Sequence, residues 1–277
     1  MARTAKGHAA AKKALVRLGV QLGADAPRLI IIGGLGVEHL TRPTTPAHHG
    51  TTDIDAFVQL SAVYDRDEES FEWLEAALQR TGFAARGGGS RWYATVDDVE
   101  VRLDLLSDVT DNRGQEIALP GTRLLSSQNL EGPGAAAVNT VMRTIELDPH
   151  ETPGATSVTL RFVGLGGYVL AKASAVLGRD EPKDLYDLAF VLLYNTDGGP
   201  TAAGRATARV LRTDPGGSGR RTVRSALARF DGSESDGAQT FSAQRQLDGD
   251  PTEPSVLAHD AVAAVRLFRR AFDAEVG

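Results

Sequence analysis

The stretch that decides the fold is "IIGGLGVEHLTRPTTPAHHGTTDIDAFV", residues 31–58. It opens with two glycines behind an apolar run and closes on two aspartates one residue apart. Gly33 and Gly34 suit a place where backbone turns sharply or approaches another group closely, because neither carries a Cβ. Asp53 and Asp55 lie in "TDIDAFV", whose β-branched and aromatic residues predict a strand. Residues two apart on a strand project to one face, so the two carboxylates converge. Like charges side by side repel unless a cation lies between them. Packing alone therefore gives no reason for the pair.

Working outward, "RLIIIGG" predicts a short buried strand ended by the glycines, and "LGVEHL" a helix starting at that turn. Upstream, residues 8–22 carry Ala9, Leu15, Leu18, Val20 and Leu22 between basic residues, an amphipathic helix. Pro43, Pro46 and Gly50 break the chain into a loop before the Asp53 strand. "DEESFEWLEAALQRTG" places acidic residues in a first turn, Phe71, Leu74 and Leu78 at helical spacing, and Gly82 where a C-terminal cap belongs. "RWYATV" and "VEVRLDLLSD" predict a hairpin across "DD". Its second strand sets Val99, Val101, Leu103 and Leu105 on one face and Glu100, Arg102 and Asp104 on the other. The expectation is an α/β (α+β) chain: a mixed sheet flanked by helices over residues 1–120, then a mainly helical part over 121–277. In the latter, a strand in "TSVTLRFV" precedes two helices, and a helix closes the chain. Residues 195–254 are dense in Gly, Ser, Thr, Asp and Pro, and predict loops with short helical pieces.

With 277 residues the chain suffices for one large domain or two modest ones. Its 42% apolar and 24% charged residues place it among ordinary globular proteins. The absence of cysteine excludes disulfides, thiolate zinc sites and cysteine nucleophiles. The opening residues are basic without a continuous apolar core, so no signal peptide is expected. No run of about eighteen apolar residues predicts a membrane span, and a cytoplasmic location is expected. A net charge of −6 gives no global attraction for nucleic acid, so any polyanion contact must be local.

Asp104 adds a third carboxylate, on the polar face of a strand that can pair beside the one holding Asp53 and Asp55. Three carboxylates facing one cleft suit a hard divalent cation, Mg²⁺ foremost, which takes oxygen ligands and substrate phosphates. Two such ions clamp attacking and leaving oxygens in phosphoryl or nucleotidyl transfer. A helix opening at Gly33 and Gly34 would present free N–H groups to a phosphate.

Together these residues resemble the polymerase-β-like nucleotidyltransferases: a Gly-Gly turn opening a helix, a strand with Asp-x-Asp, and a third Asp on a neighbouring strand. "AKASAVLGRDEPKDLYDLAFVL", residues 171–192, narrows the resemblance to the AbiEii-type nucleotidyltransferase toxins, which include the MenT-type toxins. That group shows a lysine, an arginine about two turns on, then a basic-Asp-x-x-Asp-Leu segment. Lys172, Arg179, Lys183, Asp184 and Asp187 stand in that order. The likeness runs over about residues 30–195. It departs at Leu35, where the group has a small or hydroxyl residue, and at His49, where it often has an arginine that Arg42 could replace.

The resemblance implies metal binding by Asp53, Asp55 and Asp104, with Asp104 also acting as general base. It implies β- and γ-phosphate binding by Gly33 and Gly34, and neutralisation of triphosphate charge by Lys172, with Arg179 beside the nucleotide. At least one of Asp184 and Asp187, Asp187 foremost, would orient Lys172 or the acceptor. The implied reaction is Mg²⁺-dependent transfer from a nucleoside triphosphate to RNA, a tRNA 3′ end, by a toxin with a cognate antitoxin. Two alternatives stay open: transfer to a protein or small-molecule hydroxyl, and a catalytically silent nucleotide-binding or antitoxin-like partner. Each residue also has a plain reading. Asp104 could be a solvated strand-face residue, Lys172 a surface lysine, and Asp184 or Asp187 a helix-face partner of Lys183 or Arg179. His48 and His49, adjacent in a Pro-rich loop, do not read as a zinc pair. The glycines of "VGLGGYVLAK" complete neither phosphate-binding fingerprint and read as turn and helix-packing residues. Seven arginines against one acidic residue, Asp214, lie between Arg205 and Arg229. They read either as a solvated face or as a grip on an RNA backbone.

Overall fold

A computed structural model of the chain describes residues 4–48, 50–60, 68–147, 157–179, 181–213 and 217–276. His49 and Asp214 lie outside the described residues. In chain order the structure begins with α1 (Ala5–Leu22), β1 (Leu29–Ile32), α2 (Val37–Leu40), β2 (Asp53–Val58) and α3 (Glu72–Arg80). Then come β3 (Ala84–Ala85), β4 (Arg91–Val96), β5 (Val99–Ser107), β6 (Glu116–Ala118), β7 (Ser126–Asn129), α4 (Ala135–Val138), β8 (Thr140–Glu146) and β9 (Ser157–Val163). Six helices follow: α5 (Leu165–Gly178), α6 (Pro182–Tyr194), α7 (Gly199–Val210), α8 (Ser218–Ala228), α9 (Asp236–Leu247) and α10 (Pro254–Val276). The chain divides into two compact units, residues 1–36 with 49–163, and residues 37–48 with 164–277.

In the first unit the described strands form one mixed sheet, ordered β3-β4-β5-β2-β1-β9-β8, with β7 also beside β5 and β6 beside β7. β2 runs parallel to β5 and antiparallel to β1, and β1 runs parallel to β9. The apolar alternation read from the sequence sets one face. Ile54 and Ala56 of β2, Val101, Leu103 and Leu105 of β5, and Trp92 and Ala94 of β4 are buried in one core with Leu15 and Leu18 of α1 and Leu74 and Leu78 of α3. Thr4 caps α1 by accepting from the Gly7 N–H at 3.0 Å. Ala9 is exposed and Val20 is 40% exposed, so the buried stripe of α1 runs instead through Ala11, Leu15, Leu18 and Leu22. The β4–β5 hairpin turns on Asp97 and Asp98, with φ of 49° and 60°. Two left-handed residues match the twist of the strands they join.

The sheet continues beyond residue 120, and the first unit closes at Val163. β6 and β7 are short and polar, and show no alternation from which to read a strand. Asn129 fixes this region through its side chain, donating to the carbonyls of Val109 and Asp111 and accepting from the Val109 N–H. β8 ends the strand order, with Ile145 its one buried residue, so it carries little core signal.

The second unit corrects the expectation for residues 195–254. The stretch holds three helices of 12, 11 and 12 residues. Its small residues pack helices closely. α7 buries Ala203, Gly204, Thr207 and Ala208, and a Cβ on Gly204 would lie 2.5 Å from the Phe268 carbonyl of α10. Composition that resembles a loop thus serves close helix contact. α10 is the expected closing helix, burying Leu257, Ala261, Val265, Phe268 and Phe272 along one stripe. Residues 41–48 are secured in this unit by backbone bonds from Arg42 to Tyr194 and from Thr196 to Leu40. Arg245 of α9, 2% exposed, donates to the Pro46 carbonyl at 2.9 Å and to the Asp250 carboxylate at 2.8 Å.

Candidate active site

The predicted site residues fall into two groups, one in each unit. In the first, β2 and β5 are direct neighbours, and the register sets Asp53 opposite Arg102 and Asp55 opposite Asp104. Asp53, Asp55, Arg102 and Asp104 therefore share the sheet face opposite the core, as the alternation of each strand requires. Asp53 and Asp104 side chains are each 14% exposed. The Arg102 guanidinium donates from Nη2 to Asp53 Oδ2 at 2.9 Å, and its Nε lies 3.1 Å from Asp104 Oδ2. Arg91 of β4 approaches Asp104 Oδ1 at 3.4 Å. The cation that clustered carboxylates call for is thus supplied in part by the chain itself. The alternation that placed Arg102 two residues before Asp104 was the available signal, and the sequence reading gave Arg102 no role.

The glycine turn differs from the expected helix start. Gly33–Gly36 form a 3-10 turn, and α2 adds four residues before Thr41 leaves to bridge Asn195. So short a helix aligns few peptide dipoles toward a phosphate. The close approach is nonetheless real. Gly33 has φ +75°, and a Cβ there would stand 2.0 Å from Asp55 Oδ2. On Gly34 it would stand 2.7 Å from the Thr51 side chain. The glycines are required first by the strand that carries the aspartates.

Carboxylate oxygens are the donor type a hard divalent cation takes, and three residues on one face of two hydrogen-bonded strands carry them. With Arg102 among them, no three Asp, Glu, His or Cys side chains of the described residues are gathered closely enough to hold a metal ion.

In the second unit Lys172 of α5 reaches Asp184 Oδ1 at 2.7 Å and Asp187 Oδ2 at 2.9 Å. The two aspartates, three apart, share one face of α6. Pro182 opens that helix and Asp184 lies in its first turn. Arg179, at the end of α5, closes on Asp184 with Nε at 2.7 Å and Nη2 at 3.2 Å. His48 Nε2 lies 2.9 Å from Asp187 Oδ1, its ring stacked on Tyr186 at 5.4 Å. Lys172, Asp184 and Asp187 are 6%, 0% and 2% exposed. Burial alone would push the Lys172 ammonium toward neutrality, but Asp187 and Asp184 outweigh it and hold the lysine above its ordinary value. Burial likewise opposes the Asp184 charge, and Lys172 and Arg179 together hold that carboxyl below its ordinary value. These are matched buried charges, hydrogen-bonded on both sides. The sequence reading gave His48 no part here, and a histidine in a Pro-rich loop offers no signal for it.

The Arg-rich segment is largely paired within the chain. Arg224 meets Asp273 at 2.8 Å, Arg229 meets Asp236, and Arg212 lies 3.9 Å from Glu275. Arg220 donates to the Val276 carbonyl at 3.1 Å. Among the described residues no helix is long and apolar enough to cross a membrane.

No protein-family model matches the chain, and no curated protein matches it. A matching solved structure is the Bradyrhizobium diazoefficiens CD-NTase CdnG in complex with GTP. The identity is 12% over 97% of this chain and 92% of that one, with a TM-score of 0.23. A likeness of that size carries no argument about activity.

Proposed function

We propose that the chain is a Mg²⁺-dependent nucleotidyltransferase. One observation carries this reading: Asp55 and Asp104 stand side by side on paired strands, with Asp53 on the same face and Gly33 against Asp55. Mg²⁺ held there would supply charge neutralisation of the phosphates and activation of the acceptor hydroxyl. Asp53 and Asp55 would hold the metal, Asp104 would complete the ligand set, and Asp104 is the base that would accept the proton of the acceptor hydroxyl. Gly33 and Gly34 keep the neighbouring backbone free of side chains where phosphate oxygens approach.

Lys172 keeps the role implied by the resemblance, countering triphosphate charge. In this structure Lys172 is enclosed by Asp184 and Asp187, which Arg179 and His48 also meet, and its role toward the nucleotide rests on the resemblance alone. The acceptor is RNA, a tRNA 3′ end, and the biological role is that of a toxin restrained by an antitoxin. Both follow from the resemblance of residues 30–195. The test is incubation with Mg²⁺, each labelled nucleoside triphosphate in turn, and total RNA. Label on RNA that is lost in Asp55→Ala supports the reading, and label on protein or small molecules instead moves the acceptor. No transfer to any acceptor overturns it.

One observation favours a second reading, a silent partner: Arg102 already pairs with Asp53 and Asp104, as in a purely structural ion cluster.

A further inference from the structure

We propose that His48 is a pH-sensitive latch: its neutral ring fastens residues 41–48 onto α6 through Asp187, and acid releases it. It concerns the helical unit alone and stands whatever reaction the sheet face carries out.

Residues 37–48 fold with the helices, and the chain returns to the first unit directly after His48. Residues 41–48 run as a strap along this unit. Thr41 bridges Asn195, and the Arg42 N–H donates to the Tyr194 carbonyl at 2.9 Å. Arg245 Nη1 donates to the Pro46 carbonyl at 2.9 Å. His48 Nε2 fastens the last residue, 2.9 Å from Asp187 Oδ1. Amides and a guanidinium keep their charge through the neutral range, whereas an imidazole titrates within it. Of these fasteners His48 is the one that mild acid changes.

The ring is enclosed and its carboxylate is shared. The His48 side chain is 9% exposed, stacked on Tyr186 at 5.4 Å and tilted against Phe190 at 4.7 Å. Asp187 gives its other oxygen to Lys172, and Asp184 takes both Lys172 and Arg179. Two carboxylates therefore already answer two permanent cations. Lys183 lies one turn before Asp187 on the same stripe of α6. From α9 and its end, Arg245 is matched by Asp250, and Asp248 accepts from the Tyr186 hydroxyl at 2.9 Å. Arg42, the strap's own cation, lies over the Tyr194 ring at 5.9 Å. Asp187 and the aromatic faces favour an imidazolium, while burial and the lysines oppose it. Opposition wins because the charge of Asp187 is divided: an imidazolium would be a third cation on two carboxylates. An ionised carboxylate only accepts, so the neutral ring carries its proton on Nε2.

Held below the ordinary histidine value, about 6.5, His48 stabilises the fold above that pH, and the contribution is lost as pH falls through the folded value. The experiment compares the full chain with His48→Gln, whose amide can still donate to Asp187 but does not titrate. In protein carrying ¹⁵N-labelled histidine, the ring shifts should show His48 protonated on Nε2. They should also show it titrating about one unit or more below the ordinary value. Hydrogen exchange at about pH 7.5 should find residues 41–48 equally protected in the two proteins. At about pH 5 wild type should exchange there faster than His48→Gln, on the order of tenfold, the size of a one-unit shift. If His48→Gln does not fold, the titration of His48 in wild type decides. A His48 value at or above the ordinary one overturns the inference, and so does equal exchange of the two proteins in acid.

Discussion

The two units each gather aspartates around a basic side chain, and they do so in opposite ways. On the sheet, Asp53 and Asp104 line a face with some access to water, and their cation, Arg102, is partly solvated. In the helical unit, Asp184 and Asp187 are sealed, and their partners come from two segments, Lys172 and Arg179 from α5 and its end, and His48 from an earlier loop. Burial decides what such a cluster does. A sealed ion network is expensive to open, because a single deletion leaves a charge without water. A network with some access to water loses less when a partner moves, because water compensates part of the group released. The first arrangement suits joining α5 to α6, and the second suits admitting a ligand.

The largest expected effect is on the sheet. Asp55→Ala should abolish nucleotide transfer while the thermal midpoint without metal holds or rises, since one charge leaves an acidic row. Wild-type turnover in the purified variant would remove the sheet face as the active site and erase the contrast.

Lys172→Met tests the sealed cluster and should cost about 3 kcal/mol of stability by denaturant titration, because two buried carboxylates lose a shared partner. Transfer by the folded fraction should also fall. Normal turnover with lost stability would make the lysine purely structural.

The same network predicts a pH dependence. Asp184 has a folded value below its unfolded one, so its contribution is present above the unfolded value, about 3.9, and is lost as pH falls through the folded one. Lys172 is shifted upward, so its contribution is complete below the unfolded value, about 10.4, and fades as pH rises toward the folded one. The contributions of these two groups should be constant between these limits, and stability should fall in acid less steeply for Asp184→Asn. Identical acid profiles for the two proteins would count against a buried charged pair.

Gly33→Ala should cost about 1–3 kcal/mol, as a left-handed φ is forced on a side chain that meets the Asp55 carboxylate. Chemical denaturation reads it, and a neutral result would mean the turn can relax away from β2.

The smallest effect concerns the arginines. Replacing Arg220, Arg221 and Arg224 by Glu removes an exposed pair with Asp273, worth about 1 kcal/mol or less. If these arginines nevertheless grip RNA, the slope of affinity against salt should flatten in the triple variant. An unchanged slope would confine them to contacts within the chain.

Much of the fold was legible because local pattern and tertiary burial agreed. The alternation of Val101, Leu103 and Leu105 against Arg102 and Asp104 set both the β5 strand and its faces. The spacing of Phe71, Leu74 and Leu78 set the face of α3. Where burial is achieved by small residues or side-chain hydrogen bonds, the pattern was silent. α7 reads as a loop because its buried face is Ala, Gly and Thr. β6 and β7 bury one apolar side chain, Ile117, and Asn129 ties β7 to the preceding loop.

For the site, sequence alone determined that Asp53 and Asp55 share a face, that Asp104 lies on the polar side of its own strand, and that Asp184 and Asp187 share a side of α6. Each follows from the period of one element, which is a local property of the backbone. Only the tertiary structure decided that β5 lies beside β2 in a register setting Asp104 against Asp55 and Arg102 against Asp53. It alone decided that Lys172 is enclosed by both aspartates of α6, and that His48 joins them. Register and enclosure depend on which elements meet, and that is settled by the shared burial of residues far apart in the chain.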